Sequence, residues 1–570
     1  MDQMTYRDKN DPPLRCVILC DGLTFPAWQA DCLRHAIGSG HLKVVGLVAR
    51  TQTDHPQKES KWRKRWRERH LALWRVFERL CVKPFSKAIV RTSMAQLLGD
   101  VPLIKDNPVK IGRYSERLGD EAVSFVANCS PDLVLRFSYG ILKGEILNLP
   151  RYGVWSFHHG DPAAFRGQPP GFWELVEGAK SAGAILQKLG EKLDAGDILH
   201  HGQFGLVPHS YAKTRDNLYF GSAPWLARVC ADIRHNGWEA VRTRHADIAP
   251  DGRIYLQPNN RQSISFVKDV LRARFKTFIS FKLHRQNWTC GVVDKPIEVV
   301  AGLSGKSAQT EALRSTRWMQ PSQNEFFADP FGYEDTHGRL RLFFERYYWA
   351  QQKGVIATAT YEGGEFGQAR DVLVTPSHLS YPYIRESAEL PEILPEQNAS
   401  GRMKTYHWVD DTMRESGELS LNPNLFDATI IEHDGLTWLF ALQNDWTSNT
   451  QLYLFFKERG KEDWTAHPLN PVKSNIRSSR PAGTPFVSEG RLLRPAQDCA
   501  THYGSAVAIN EIIVLSRTDF MEREVGRLEP ESNGPQPYGL HTISRVGNKT
   551  LIDGARRERV PMRGILRLIR

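Results

Sequence analysis

Residues 14–20, LRCVILC, form an apolar run that stops at Asp21-Gly22, which predicts a buried strand followed by a turn. A helix is expected over 27–37 and a second buried strand over 43–48. Further apolar runs predict strands over 132–137 and 153–157, so the first half alternates in the manner of a parallel α/β sheet. Between these strands, 58–80 carries Trp62, Trp66, Leu73, Phe77 and Leu80 at helical spacing among basic residues. It reads as a helical insertion with a solvated basic face; anion or RNA docking is the other reading. Ile264, Val267, Leu271, Phe275 and Phe278 mark a second amphipathic helix, expected to pack between domains rather than on a membrane. From about residue 290 the pattern changes to short β-like runs between Gly, Pro, Asn and Asp turns, such as 340–344, 355–360, 438–442 and 452–456. That texture predicts an all-β sandwich or propeller.

Length and composition narrow the picture. A chain of 570 residues exceeds one hydrophobic core, so at least two domains are expected. With 41% hydrophobic and 24% charged residues it has ordinary globular composition. The net charge of +11 permits an anionic partner without selecting one. The eight cysteines are scattered, with no CxxC pair, which argues against a disulfide framework or zinc site and for a reducing, cytoplasmic setting; no bound metal is expected. No signal peptide is expected in the charged N-terminal stretch, and no apolar run suffices for a transmembrane helix.

The chemistry-bearing segment runs from Pro131 to Leu199. A strand leads to Tyr139-Gly140, and a second strand ends in Ser156, His158, His159 and Asp161. Ionisable groups beyond the carboxyl end of a strand in an open α/β sheet stand where ligands bind. Downstream, Leu193-Asp194-Ala195-Gly196 supplies a carboxylate that could pair with an imidazole for acid–base work. Gln187 could face the same site, although strand packing explains it equally well.

This segment resembles the catalytic half of the family of methionyl-tRNA, glycinamide ribonucleotide and sugar N-formyltransferases. The resemblance rests on Tyr139-Gly140, Gly153, His158, Arg166-Gly167, Gly183 and Leu193-Asp194-Ala195-Gly196, and covers about 13–235. It implies a Rossmann-like fold and 10-formyltetrahydrofolate as donor, held near Tyr139, Gly140, Ile141, Leu142 and Asp194. It also implies that His158 stabilises the developing oxyanion and that Asp194 orients and tunes it. One position departs: the family's asparagine, two residues before the histidine, is Ser156 here. Either Ser156 with His159 rebuilds the oxyanion hole, or the chemistry differs, or the domain binds without catalysing.

The second half is similar to the propeller-like domain at the N-terminus of plant glucosamine inositolphosphorylceramide transferases. Matching pieces include Ala328-Asp329-Pro330-Phe331, Leu394-Pro395-Glu396, Phe426-Asp427, Arg480-Pro481-Ala482-Gly483, Gln497-Asp498 and His541-Thr542. The resemblance implies a five-bladed, arabinanase-like propeller with Asp329, Glu396, Asp427, Arg480, Asp498 and His541 around an axial pocket, and Trp438 and Tyr503 in a sugar-binding funnel.

The expected organisation is therefore an α/β domain over 13–245, a helical linker over 246–294 and a propeller over 295–570. The expected function is transfer of a formyl or related acyl group from a reduced folate to an amino group of a sugar or glycan precursor. The alternative is a glycan-binding or glycan-cleaving propeller protein with a non-catalytic formyltransferase-like domain. A small-molecule or glycan amine is the expected partner, nucleic acid is not, and the oligomeric state is left open.

Overall fold

The computed structural model describes residues 12–51, 66, 68–112, 114–191, 196–335, 337–385, 390–397, 403–419, 421, 425–443 and 449–560. The chain divides into two compact units, 1–275 and 276–570.

The first unit is built on a seven-stranded sheet. Its strands in chain order are β1 (Leu14–Cys20), β2 (Leu42–Arg50), β3 (Leu103–Asp106), β4 (Leu133–Arg136), β5 (Val154–His158), β6 (Ser181–Lys188) and β7 (Ile198–Gly205). Their spatial order is β7-β6-β5-β4-β1-β2-β3. The pairs from β5 through β3 are parallel, whereas β5–β6 and β6–β7 are antiparallel. Alternate side chains feed two cores, as a sheet covered on both faces requires. Cys16, Ile18, Leu135 and Trp155 pack with Ala30 and Leu33 of α1 (Ala27–Gly38). Val17, Leu19, Val134 and Val154 pack on the other face with Ala122 and Val126 of α2 (Asp120–Cys129). The helices α3 (Tyr211–Ser222) and α4 (Trp225–Asn236) follow β7.

Only the end of the basic helical insertion is described, as 3-10, α and π turns that follow one another without a gap. Residues 52–65, with Trp62, lie outside the described residues; beyond them come short pieces, Arg69–Leu71, Ala72–Phe77 and Glu78–Val82. The amphipathic helix is α5 (Asn260–Leu283), whose Phe266 and Val270 bury against Trp74, Phe172 and Tyr211 while Ile264 and Leu271 stay exposed.

The second unit is a five-bladed propeller. Four antiparallel sheets follow one another, with inner strands Glu325–Glu334, Ser380–Arg385, Leu425–His433 and Phe486–Ser488. The fifth blade closes the ring with strands from both ends of the unit. Ile543–Val546 and Lys549–Arg559 pair onward to His284–Val293 and Arg317–Trp318. Residues 284–293, expected in a linker, are thus a blade strand, locked to 550–559 along their whole length.

The inner strands of the first three blades share one irregularity. Register shifts occur between Ala328 and Phe331, Ser380 and Tyr383, and Phe426 and Thr429. Within each bulge one residue takes a left-handed backbone: Asp329 (φ 53°), Tyr381 (φ 43°) and Asp427 (φ 49°). Non-glycine residues adopt this conformation at a cost of about 1–2 kcal/mol, so three recurrences signal a demanded side-chain direction.

Candidate functional site

In the first unit, Ser156 and His158 lie two residues apart on β5, so they project from the same face of the sheet. Ser156 is buried and His158 half-buried. The loop after β5 leaves room for the ring: a side chain at Gly160 would come within 3.0 Å of His158 Nε2. His159 points the other way. It is buried, its Nε2 lies 3.0 Å from Ser222 Oγ, and its ring packs edge-on against Trp28 and Tyr219. Burial, with His158 and Arg215 adding to it, pushes its pKa down to about 3, so it stands as a neutral ring. That corrects the expectation that His159 shares the oxyanion role.

Ser156 meets a residue that the sequence reading passed over. Arg136, the last residue of β4, stands opposite Ser156 in the parallel register. Its Nε and Nη2 donate to Ser156 Oγ at 3.1 and 2.8 Å, and its Nη1 donates to the Gly140 carbonyl at 2.6 Å. The Tyr139-Gly140 turn is held from three sides. Tyr139 has φ 75°, and its hydroxyl donates to buried Asp106 at 3.0 Å. The Gly140 N–H donates to Glu116, which also binds Arg50 at 2.8 Å. A side chain at Gly140 would lie 2.8 Å from the Tyr114 carbonyl, so the close approach of these strands needs glycine. The Tyr139 ring belongs to the core, as does Leu142, while Ile141 is half-buried.

Asp194 lies outside the described residues. The loop bearing it starts beside the Tyr139–Leu142 segment, because Lys143 donates to the Glu191 carbonyl. It ends at Gly196, where any side chain would collide with the Lys188 carbonyl at 1.8 Å. Gln187 pairs with Ser156 across β5 and β6 and is half-buried. Asp161 organises its own loop, accepting from Ala163 N–H at 3.0 Å and Gln203 Nε2 at 2.8 Å.

In the propeller the bulges direct acids to the axis. Asp329 accepts from Thr542 Oγ1 at 2.9 Å and lies 3.4 Å from His541 Nε2; His541 Nδ1 lies 2.5 Å from Asp553. Asp427 pairs with Arg480 at 2.5 Å, and Arg480 lies 4.9 Å from the Tyr503 ring centre. Tyr381 links neighbouring segments of the ring: its hydroxyl meets Thr429 at 3.1 Å and accepts from the Gly483 N–H at 2.9 Å.

The charges in this cluster are shared. Burial pushes Asp329 up to about 6 even though His541 opposes it. Burial, reinforced by Asp329, carries Glu345 well above the usual carboxylate range; burial and Asp427 do the same to Glu396. Burial disfavours the charges of His541 and Arg480, but Asp553 and Asp427 respectively outweigh it and raise both. The cluster therefore combines carboxyls pushed toward their protonated form, ion-paired carboxylates, Arg480 and an imidazole pushed toward its charged form, a set that can donate to and accept from hydroxyl groups. Asp329, His541 and Asp553 could also offer three ligand atoms within 4.8 Å of one another, although both ring nitrogens of His541 already face carboxylates.

Two expected members lie elsewhere. Asp498 pairs with Arg527 at 2.6 Å and Arg477 at 3.4 Å and caps the Ala500 N–H, so those cations hold it away from the axial group. Trp438 is a core residue, 1% exposed and packed on Phe456, whereas Tyr503 is 37% exposed. Sequence reasoning missed Glu345 as an axial acid and gave Asp553 no role; Asp553 follows the apolar pair Leu551-Ile552 in the buried part of its strand.

Comparison with known proteins follows the same division. Residues 312–536 match the family described as "Glucosamine inositolphosphorylceramide transferase 1, N-terminal". Glucosamine inositolphosphorylceramide transferase 1 of Arabidopsis thaliana is 31% identical over 214 residues, covering 35% of this chain and 27% of that protein. Methionyl-tRNA formyltransferase of Thermotoga maritima is 30% identical over 184 residues, covering 32% of this chain and 48% of that protein. The chain spans about a quarter of the length of the first of these relatives and half of the second. Among solved structures, a thermostable family-43 glycoside hydrolase is similar at TM-score 0.29 and 14% identity, over 37% of this chain and 78% of that one. Glycinamide ribonucleotide transformylase 1 of Symbiobacterium toebii is similar at TM-score 0.23 and 17% identity, over 41% of this chain and 89% of that one. The chain thus joins a formyltransferase-like N-terminal region to a domain like the N-terminal part of the inositolphosphorylceramide transferases.

Proposed function

We propose that the protein transfers a formyl group from 10-formyltetrahydrofolate to an amino group on a sugar or glycan precursor. The observation that carries this reading is the pairing of His158 with Ser156 on one face of β5, flanked by the Tyr139-Gly140 turn and the start of the Asp194 loop. In that reaction the amine nitrogen attacks the formyl carbon and the carbonyl electron pair moves onto oxygen. The C=O then re-forms as the bond to N10 breaks, and N10 takes up the proton that the amine loses. His158 donates to the oxygen while it carries charge, and Asp194 orients the imidazole. The free thiols at all eight cysteines go with a reducing cytosol as the working compartment.

Titration with a stable 10-formyl folate analogue tests the donor. Saturable binding is expected, and His158→Ala and Asp194→Asn should each lower turnover by about two orders of magnitude. No binding at millimolar analogue removes the folate assignment.

A second reading is favoured by the axial cluster of the propeller. Its carboxyls pushed toward protonation, Arg480 and the partly exposed Tyr503 suit a sugar's hydroxyls and apolar face. On this reading the propeller holds the glycan that bears the amine. Full-length protein on a glycan array should lose its signal with Tyr503→Ala; an array with no signal for either protein counts against it.

A further inference from the structure

The unresolved element of the formyl-transfer reading, on which this inference rests, is the second donor to the oxyanion. His159 is spent on Ser222 and the aromatic packing around it. Ser156 remains, and a lone hydroxyl is a poor substitute for an amide unless something fixes its rotor.

Arg136 fixes it. A hydroxyl has two lone pairs and one proton. Arg136 Nε at 3.1 Å and Nη2 at 2.8 Å take up the two lone pairs of Ser156 Oγ. Only the proton is left, and it rests on the neighbouring Phe157 carbonyl at 3.3 Å, beyond the usual 2.5–3.0 Å range for an O–H donor. The guanidinium is itself immobilised by the Gly140 carbonyl at 2.6 Å and the Tyr139 carbonyl at 3.4 Å. Its charge is answered on the far side of that same peptide, where Glu116 accepts the Gly140 N–H and is paired with Arg50. The network Arg50–Glu116–Gly140–Arg136–Ser156 thus ends in a hydroxyl whose acceptor sites are filled by a cation and whose weakly held proton can turn to a better acceptor.

We infer that Ser156, with its hydroxyl forced into the donor role by Arg136, is the second oxyanion donor beside His158, and that Arg136 is its positioning residue. The Ser156 O–H donates a hydrogen bond to the formyl oxygen as that oxygen gains charge and withdraws it when the carbonyl re-forms; the proton stays on serine. A hydroxyl bonded to a guanidinium is a stronger donor than a free one.

A double-mutant cycle on the full chain tests this, with kcat and the folate KM measured separately. Ser156→Ala keeps every bond of Arg136 to the Tyr139-Gly140 turn and should lower kcat about 100-fold or more while the folate KM stays within about threefold. Arg136→Leu should lower kcat comparably, and adding it to Ser156→Ala should cost less than about threefold further, because both act through one hydrogen bond. Ser156→Asn brings its own fixed donors and should restore at least tenfold of the activity lost in Arg136→Leu. If Arg136→Leu does not fold, Ser156→Ala and Arg136→Lys still decide, since lysine cannot fill both acceptor positions while holding the turn. Wild-type turnover with Ser156→Ala within twofold of it overturns this inference and leaves formyl transfer standing. Multiplying losses in the cycle overturn the role of Arg136. A wild type that binds and transfers nothing overturns both readings.

Discussion

His159 follows His158 directly, and the period of two along β5 turns the two rings to opposite faces of the sheet. The buried ring makes a pH prediction. Its folded pKa, held by burial at about 3, lies below the ordinary histidine value of about 6.5. The unfolded state therefore binds a proton that the folded state refuses, so stability is full above pH 6.5 and declines as pH falls toward 3. One such proton gives a slope of about 1.4 kcal/mol per pH unit in that window. Hydrogen exchange of the Val154–His158 segment at pH 7, 6 and 5 should show opening become easier with acid. His159→Gln should lower that slope by about one proton's share, buried His200 and His245 supplying part of the rest; an unchanged slope would mean that the ring is protonated in the fold. The alternation that separates the two histidines was readable in the sequence. The Arg136–Ser156 contact was not, because it joins strands twenty residues apart whose register only the sheet defines.

At the scale of the element, the inner-strand bulge is the device that makes an axial site. Asp329, Tyr381 and Asp427 occupy the same step of three successive blades, each left-handed, each aimed inward. Recurring acid-bearing turns after aromatic strands were visible in the sequence, and two of the acids singled out on that ground, Asp329 and Asp427, stand in inner-strand bulges. The same logic misassigned Asp498, which ends the second strand of its blade, beside Arg527 and Arg477. The buried Asp427–Arg480 pair sets the energetic stake. Asp427→Ala strands a guanidinium and should destabilise the propeller by about 3–5 kcal/mol, read as a lowered melting midpoint. Asp427→Asn keeps a hydrogen-bond acceptor and a residue tolerant of positive φ, and should lose less. Equal losses in both would mean that charge is not what holds Arg480. Gly483→Ala should be worse still, since its Cβ would meet the Ile543 carbonyl at 1.9 Å and the backbone there sits at φ 127°.

For the molecule as a whole, two units meet the length and the change of texture near residue 290, with the structural division at 275/276, inside α5. The sequence implied five blades but concealed that strands from both ends of the unit close the fifth, because its two strand pairs stand more than two hundred residues apart. A chain ending at residue 540 should therefore lose the propeller's cooperative melting transition while still binding the folate analogue through the first unit. Retention of a cooperative propeller transition in that truncation would mean that four blades suffice.

The ring closure also sets an order of events during synthesis. His284–Val293 leaves the ribosome with Trp288, Cys290, Val292 and Val293 already in line, long before 550–559 exists to pair with it. At about 5–20 residues per second the wait is roughly ten to fifty seconds, with an apolar strand edge open to any neighbour. The nascent chain is thus a natural client for a holding chaperone, and its yield in a host should follow chaperone supply and elongation speed more closely than the stability of the finished ring.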